Sequence, residues 1–294
     1  MSKESGAIAP KTSPWKSLLG FLPESQALEM IRIPGVASDP KLEQTVRTAV
    51  EYVHRLERPP DSSPRLAEIP SGIFSEREGK LRGESTFAEH LAGINESQFQ
   101  MVEISKLHVF QPNLNLEFVE RLKERAPELG NTSELLKFCL PLRDEVTKRP
   151  VLAGFNPSMN TFTLASENLD LRIVGNVQGE DASTGRRFFG FAFGPGLPQM
   201  SVVKYKETYL LKNGYHRAYA LLEKGHEFMP CLVVSTDNYQ ATGAVGPGAF
   251  PFEVVLAPKS PIMSDFFGEA AVIYPRLLIR VILTIHAEIQ IASV

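Results

Sequence analysis

Leu42, Val46, Ala49, Val50, Val53 and Leu56 recur at three- and four-residue spacing and predict one amphipathic helix near the start of the chain. Asp39 is placed to cap it, Pro40 suits its first position, and Arg58-Pro59-Pro60 ends it. Ahead of it, residues 1–14 are polar and are expected to be disordered. Trp15, Leu18, Leu19, Phe21 and Leu22 then form a short apolar segment. It reads either as a helical turn anchoring on the main body or as a docking motif for a partner. From Asp61 to Ser97 the chain is polar, with Pro64 and Pro70, and reads mainly as loop. His90 in that stretch lacks a partner at ligand spacing and reads as a surface residue.

The period changes further on. Val102, Ile104 and Leu107 suggest a short strand, after which Asn115 is placed to cap a helix at 116–126. Phe118, Val119 and Leu122 form its inner side, and Glu117, Glu120, Arg121, Lys123, Glu124 and Arg125 a solvated face. From Val151 to Val203 the pattern is strand-like, at 161–164, 171–174 and 187–193. The turn-rich stretch 179–185 predicts a hairpin, with Arg186 and Arg187 beside it reading either as an anion contact or as a solvated loop tip. Strands at 200–203, 208–211 and 228–234 follow. Residues 280–291 alternate at period two, which makes His286 an outward strand residue rather than a ligand. No internal repeat is visible.

Composition narrows the function classes only a little. The 294 residues carry 31 basic and 34 acidic side chains, so net charge gives no general reason to expect nucleic acid. Cys139 and Cys231 are the only cysteines, too few and too far apart for a zinc site or a disulfide framework, and both read as small buried hydrophobes. No flavin, haem or structural zinc is expected. No signal-peptide core and no membrane-length apolar run is present, so a cytoplasmic protein is expected. The Gly-rich loop 240–248 has a single Gly-x-Gly spacing, too little for a dinucleotide fingerprint.

The candidate site is Tyr209-Leu-Leu-Lys-Asn-Gly-Tyr-His-Arg-Ala-Tyr-Ala-Leu-Leu-Glu-Lys-Gly225, an apolar strand, a glycine, a His-Arg pair and a helix closed by Gly225. A helix start offers unpaired N–H groups and the positive end of its dipole, which suits an anion. His216 and Arg217 in the first turn are out of place there unless something negative sits among them. Gly214 would admit a phosphate close to the backbone, Arg217 offers a bidentate fork, and His216 a donor of adjustable charge. The competing account pairs Arg217 with a carboxylate such as Glu103 or Glu120 and hydrogen-bonds His216 within the fold.

The order strand, Gly214-Tyr-His-Arg217, short helix, Gly225, then Pro230 leading a strand, resembles the core of the ParB/sulfiredoxin-like superfamily. The resemblance covers about residues 101–235. It implies an α+β fold, a mixed sheet with flanking helices; the β-rich insertion at 140–198 is extra to that family's pattern and reads either as a cover over the site or as a small β subdomain of its own. A disordered tail (1–14) and a helical and loop segment (15–100) would precede the domain, and a β-rich extension (236–294) would follow. The resemblance also implies nucleotide or phosphate binding by Gly214, Tyr215, His216 and Arg217, with a nucleoside triphosphate and Mg²⁺ as the ligand. Tyr215 stands where sulfiredoxins need cysteine, and Asn213 where related free-serine kinases carry aspartate, so neither chemistry transfers. The helix-turn-helix that follows this domain in chromosome-partitioning members is missing, which disfavours specific DNA binding. If a reaction is attached, phosphoryl transfer or nucleotide hydrolysis fits, but Glu103, Glu117 and Asp265 stand at no diagnostic spacing for its carboxylate. The alternative is a non-catalytic scaffold or interaction module, with the Trp15 segment and the helix at 40–57 as partner surfaces.

Overall fold

Residues 12–17 alternate outward and inward, so the part of the segment around Trp15 is a strand, β1 (Thr12–Ser17), and the expected anchoring helical turn forms just after it, at Leu19–Phe21. The inward positions of β1 are Ser13, Trp15 and Ser17, and the two serines hide the alternation from a reading based on hydrophobicity. Both are satisfied: Trp15 Nε1 donates to Ser13 Oγ at 3.0 Å, and Ser17 Oγ donates to Asn113 Oδ1 at 2.6 Å. Trp15 is therefore part of the core and not a docking side chain.

The computed structural model describes residues 11–58, 63–84, 96–146, 151–166, 171–195, 198–246, 248–277 and 281–286. The tail 1–10 and His90 lie outside them. The chain adopts the mixed α+β class expected of it. It divides into two units, Met1–Leu142 with Gln199–Leu277, and Arg143–Pro198 with Leu278–Val294.

In the first unit, β1 is followed by α1 (Glu24–Met30), α2 (Pro40–Arg55), β2 (Leu66–Ala67) and α3 (Ser71–Gly83). Next come β3 (Glu96–Glu103), β4 (Asn113–Asn115), α4 (Leu116–Lys123) and α5 (Thr132–Cys139). The second unit supplies β5 (Val151–Asn156), β6 (Thr161–Ser166), β7 (Leu171–Asp181) and β8 (Arg186–Pro195). The chain then returns with β9 (Ser201–Tyr205), β10 (Thr208–Asn213), α6 (Tyr215–Glu223), β11 (Phe228–Thr236), α7 (Phe252–Val255) and β12 (Val272–Leu277). The last strand described, β13 (Val281–His286), belongs to the second unit.

Two sheets build the first unit, in the orders β12-β1-β4 and β10-β9-β11-β3-β2. β9 and β10 form an antiparallel hairpin, β11 runs parallel to β9, and β3 pairs antiparallel with β11. The segment before residue 101 is thus woven into the motif's sheet through β2 and the start of β3, and into the other sheet through β1. The stretch expected to be a β-rich C-terminal extension is split, since β12 pairs with β1 while β13 pairs with β6.

Both sequence-assigned caps form. Asp39 Oδ1 accepts from Lys41 N at 2.9 Å with Pro40 opening α2, and Asn115 Oδ1 accepts from Phe118 N at 3.0 Å to start α4. The stretch read as loop contains α3, which the sequence did not announce. It has no side-chain cap, holds Gly72, Gly79 and Gly83, and buries only Phe74 and Leu81. Phe74 meets the Phe99 ring edge-on at 5.2 Å, so tertiary packing holds this helix more than propensity does.

α2 buries Val46, Ala49 and Val50 and packs against the turn Leu19–Phe21. The approach is close because Gly20 lacks a side chain. An added Cβ there would lie 2.5 Å from the Ala49 carbonyl oxygen and 2.8 Å from Val53 Cγ2. Gly20→Ala is expected to cost about 1–3 kcal/mol by overpacking. Gly79→Ala, in open space inside α3, is expected to add about 0.5–1 kcal/mol. Urea midpoints of the two variants should therefore move in opposite directions.

Candidate functional site

β10 ends at Asn213 and α6 begins at Tyr215, so Gly214 alone turns the chain, at φ 105° and ψ 22°. A residue with a Cβ is strained there. The first intrahelical bond follows at once, from Ala218 N to Gly214 O at 2.8 Å. A Cβ on Gly214 would also stand 2.8 Å from the Cε and Cγ of Met200. The close approach that glycine permits is thus made by a buried methionine side chain.

The three motif side chains face inward and each meets backbone. Tyr215 is buried, and its hydroxyl oxygen accepts from Phe110 N at 3.0 Å and Gln111 N at 3.4 Å. Burial raises its phenol well above the usual range. His216 is partly buried, and its Nε2 accepts from Asn115 N at 3.0 Å while its ring meets Phe118 edge-on at 5.1 Å. Accepting at Nε2 requires the tautomer protonated on Nδ1. Burial, and after it the charge of Arg217, lowers this imidazole to about 4, so it is neutral near pH 7.

Arg217 resolves the electrostatic conflict in an unexpected way. Its Nη1 donates to Phe138 O at 3.1 Å and Cys139 O at 3.5 Å, the last carbonyls of α5. A helix C-terminus carries partial negative charge and unpaired carbonyls. The cation at the start of α6 is therefore matched by the end of another helix. Burial lowers the guanidinium only to about 10, and it stays charged. The carboxylates considered as its partners are engaged elsewhere: Glu103 with Arg65 and Lys106, and Glu120 with Lys123. Asn213, preceding the glycine, donates through Nδ2 to Gln199 O at 2.8 Å.

The upstream block does meet the motif as its sequence order suggested, since the cap residue Asn115 and Phe118 of α4 both touch His216. The proposed carboxylates do not gather there. Asp265 accepts from Arg58 and from Ile262 N, while Glu117 is exposed. Cys139 and Cys231 are both buried; burial pushes the Cys139 thiol up to about 12 and raises Cys231 as well, which makes them poor nucleophiles.

Other polar groupings arise that no sequence spacing announces. Lys16 Nζ donates to Tyr219 Oη at 2.9 Å and lies over the Tyr219 and Phe267 rings, which stack at 4.6 Å. His108 Nδ1 lies 2.6 Å from Ser260 Oγ. A cavity of 510 Å³ opens beside the Gly-rich loop, lined by residues such as Tyr239, Val245, Phe250 and Phe252 and by none of the motif.

The second unit differs from the first in how little it buries. Of its described side chains, Leu164 and Ser166 are buried, while Leu152, Phe155, Phe162, Phe188 and Phe189 are exposed. All six residues of β5 face solvent. Among the described residues no helix is long and apolar enough to cross a membrane. The chain matches no family model, and no curated protein and no solved structure is significantly similar to it.

Proposed function

We propose that the protein is a non-catalytic protein-interaction module, with the second unit as its contact surface. One observation carries this reading: an apolar, aromatic-rich β surface that its own unit leaves uncovered. Monomers seldom expose contiguous apolar patches beyond a few hundred Å², and larger ones mark partner sites. The β5–β6 pair is one part of it, where Phe155 and Phe162 sit opposite one another in register with rings 4.8 Å apart. The contact surface is therefore not the Trp15 segment or the inner face of α2, both of which are packed inside the first unit. A cytoplasmic setting belongs to the same proposal, in keeping with two unpaired, buried thiols.

A second reading is a nucleotide or phosphate, with Mg²⁺, at Gly214, Tyr215, His216 and Arg217. It is favoured by the left-handed glycine and the charged arginine at the start of α6. Against it stand the engagement of all three side chains with backbone and the Met200 side chain against Gly214.

Thermal unfolding separates the two. The interaction module should keep its melting temperature within about 1 °C in millimolar ATP, CTP or GTP with Mg²⁺. A ligand at 100 times its Kd would add about 2.7 kcal/mol. An apolar dye should bind the protein, and Phe155→Ser with Phe162→Ser should cut that binding by half or more. A nucleotide shift of several degrees, lost in Arg217→Ala, would overturn the module reading in favour of the second.

A further inference from the structure

The β7–β8 hairpin has two unlike faces, set by its register. Residues opposed across an antiparallel pair share a face, and successive residues alternate. One face therefore carries Phe189, Phe191 and Phe193 along β8, opposite Gln178, Asn176 and Ile173 of β7. The rings follow one another at 5.3 and 6.5 Å, and the row ends near the turn in an ion pair between Arg187 and Glu180. The other face carries the small residues Gly175, Gly179, Gly190 and Ala192 together with an exposed Val177, and the Phe188 ring lies over Gly179. On that side the aromatic ring covers its own strand pair. Phe188 is nonetheless 55% exposed, and on the first face Phe189 is 66% and Phe191 36% exposed, with Phe193 half-buried at the end of the row.

A two-stranded sheet cannot bury such a row by itself. Among the described residues β7 and β8 pair only with each other. Isolated hairpins are marginal in water and gain independent stability when a further layer covers their apolar face. Building on the interaction-module reading, we propose that the Phe189–Phe191–Phe193 face is a self-association surface, covered by the same face of a second copy about a two-fold axis.

Three features favour a second copy over a foreign partner. A two-fold axis near Phe191 lays each phenylalanine row along the other, and such an isologous contact closes at two copies. The charges at the end of the row, Glu180 and Arg187, are already paired within one chain, so doubling the face brings no net like charge together. The size is also sufficient. Ten residues of strand extend about 33 Å, and covering this face on both copies would bury roughly 1,000 Å², at the threshold for a specific interface. A contact at that threshold belongs to the weak, transient class, so the dimer is expected to dissociate on dilution.

The test is sedimentation velocity on the full chain from 1 to 200 µM, with light scattering at both ends of the range. The wild type should pass from monomer to dimer across that range. Phe189→Asp with Phe191→Asp should weaken association at least 30-fold, and Phe188→Ser, on the opposite face, less than 3-fold. Far-ultraviolet dichroism checks that each variant remains folded, and Phe191→Leu, which keeps the face apolar, should still dimerise. A wild type that is monomeric at 200 µM, or a dimer unchanged by the aspartates, overturns the self-association. Assembly beyond two copies that Phe188→Ser abolishes would also overturn it, in favour of a heterologous stack using both faces. These outcomes are distinct from failure of the interaction-module reading, which turns on the nucleotide and dye measurements at the other sheet.

Discussion

Arg58→Ala should lower stability by about 3–5 kcal/mol at pH 7, because it leaves the Asp265 carboxylate buried without its counter-charge. Arg58 Nη2 and Asp265 Oδ2 form an ion pair whose side chains are only 10% and 9% exposed. The same carboxylate oxygen accepts from Ile262 N at 2.8 Å, which anchors the turn that begins at Met263. Burial raises the Asp265 carboxyl above its ordinary value even though Ile262 and Arg58 pull it down, so the site only partly compensates the charge. Nε of Arg58 is buried with no hydrogen-bond partner, a further uncompensated group. Replacing both residues, Arg58→Met with Asp265→Asn, should recover most of the loss, since removing a whole buried pair is often neutral. Urea unfolding at pH 7 measures both variants. The single-variant loss should shrink in acid, where the orphaned carboxyl takes a proton. A loss below about 1 kcal/mol for Arg58→Ala would mean that water reaches the pair.

Acid should destabilise the fold chiefly through two histidines. His108 and His216 are each lowered from 6.5 to about 4, by burial first and then by the charges of Arg58 and Arg217 respectively. Between those values the unfolded chain binds protons that the native state refuses. Their stabilising contribution is complete above pH 6.5 and is lost as pH falls through about 4, at about 3 kcal/mol each. The chemistry at His216 is explicit: a proton on Nε2 would displace the Asn115 N–H, and with it the tie between α4 and α6. Asp265 titrates with the opposite sign, since its raised carboxyl favours the native state as pH drops, and it offsets part of the loss. Melting temperature measured from pH 7.5 to 4 should fall through this window. His216→Gln, which can still accept from Asn115 N, should flatten the profile, as should His108→Asn. A variant profile parallel to the wild type would remove that histidine as the cause.

The sequence made local structure legible where a side chain acts on its own neighbours. The caps at Asp39 and Asn115, the stop at Gly225 and the strand–glycine–helix order around Gly214 are all of that kind. Burial of both cysteines was also readable. Elements fixed by distant partners were not. β1 places serines inward beside Trp15, so no apolar alternation marks it, and α3 is held by contacts such as Phe74 on Phe99. The motif illustrates the same limit. A glycine followed by His-Arg correctly signals a helix start with misplaced positive charge. What balances that charge is the end of α5, about 78 residues earlier, and no local spacing encodes that meeting. Nor does a strand pattern reveal which face stays wet: 187–193 reads only as strand, and Phe188, Phe189 and Phe191 stay exposed.

The pairing of β1 with β12 has a consequence for when the first unit can be completed. Thr12 aligns with Leu277 and Ser17 with Val272, while Trp15 to Ser17 also pair with β4 on the other side. The middle strand of that sheet thus belongs to the beginning of the chain and one of its neighbours to residues made some 260 positions later. During synthesis at about 5–20 residues per second, β1 waits tens of seconds for that neighbour, with Trp15 and one strand edge uncovered. Closing so long a loop costs little extra entropy but delays the contacts that repay it. The nascent chain therefore passes through a long interval in which β1 can be captured by a chaperone or by the same strand on a neighbouring ribosome.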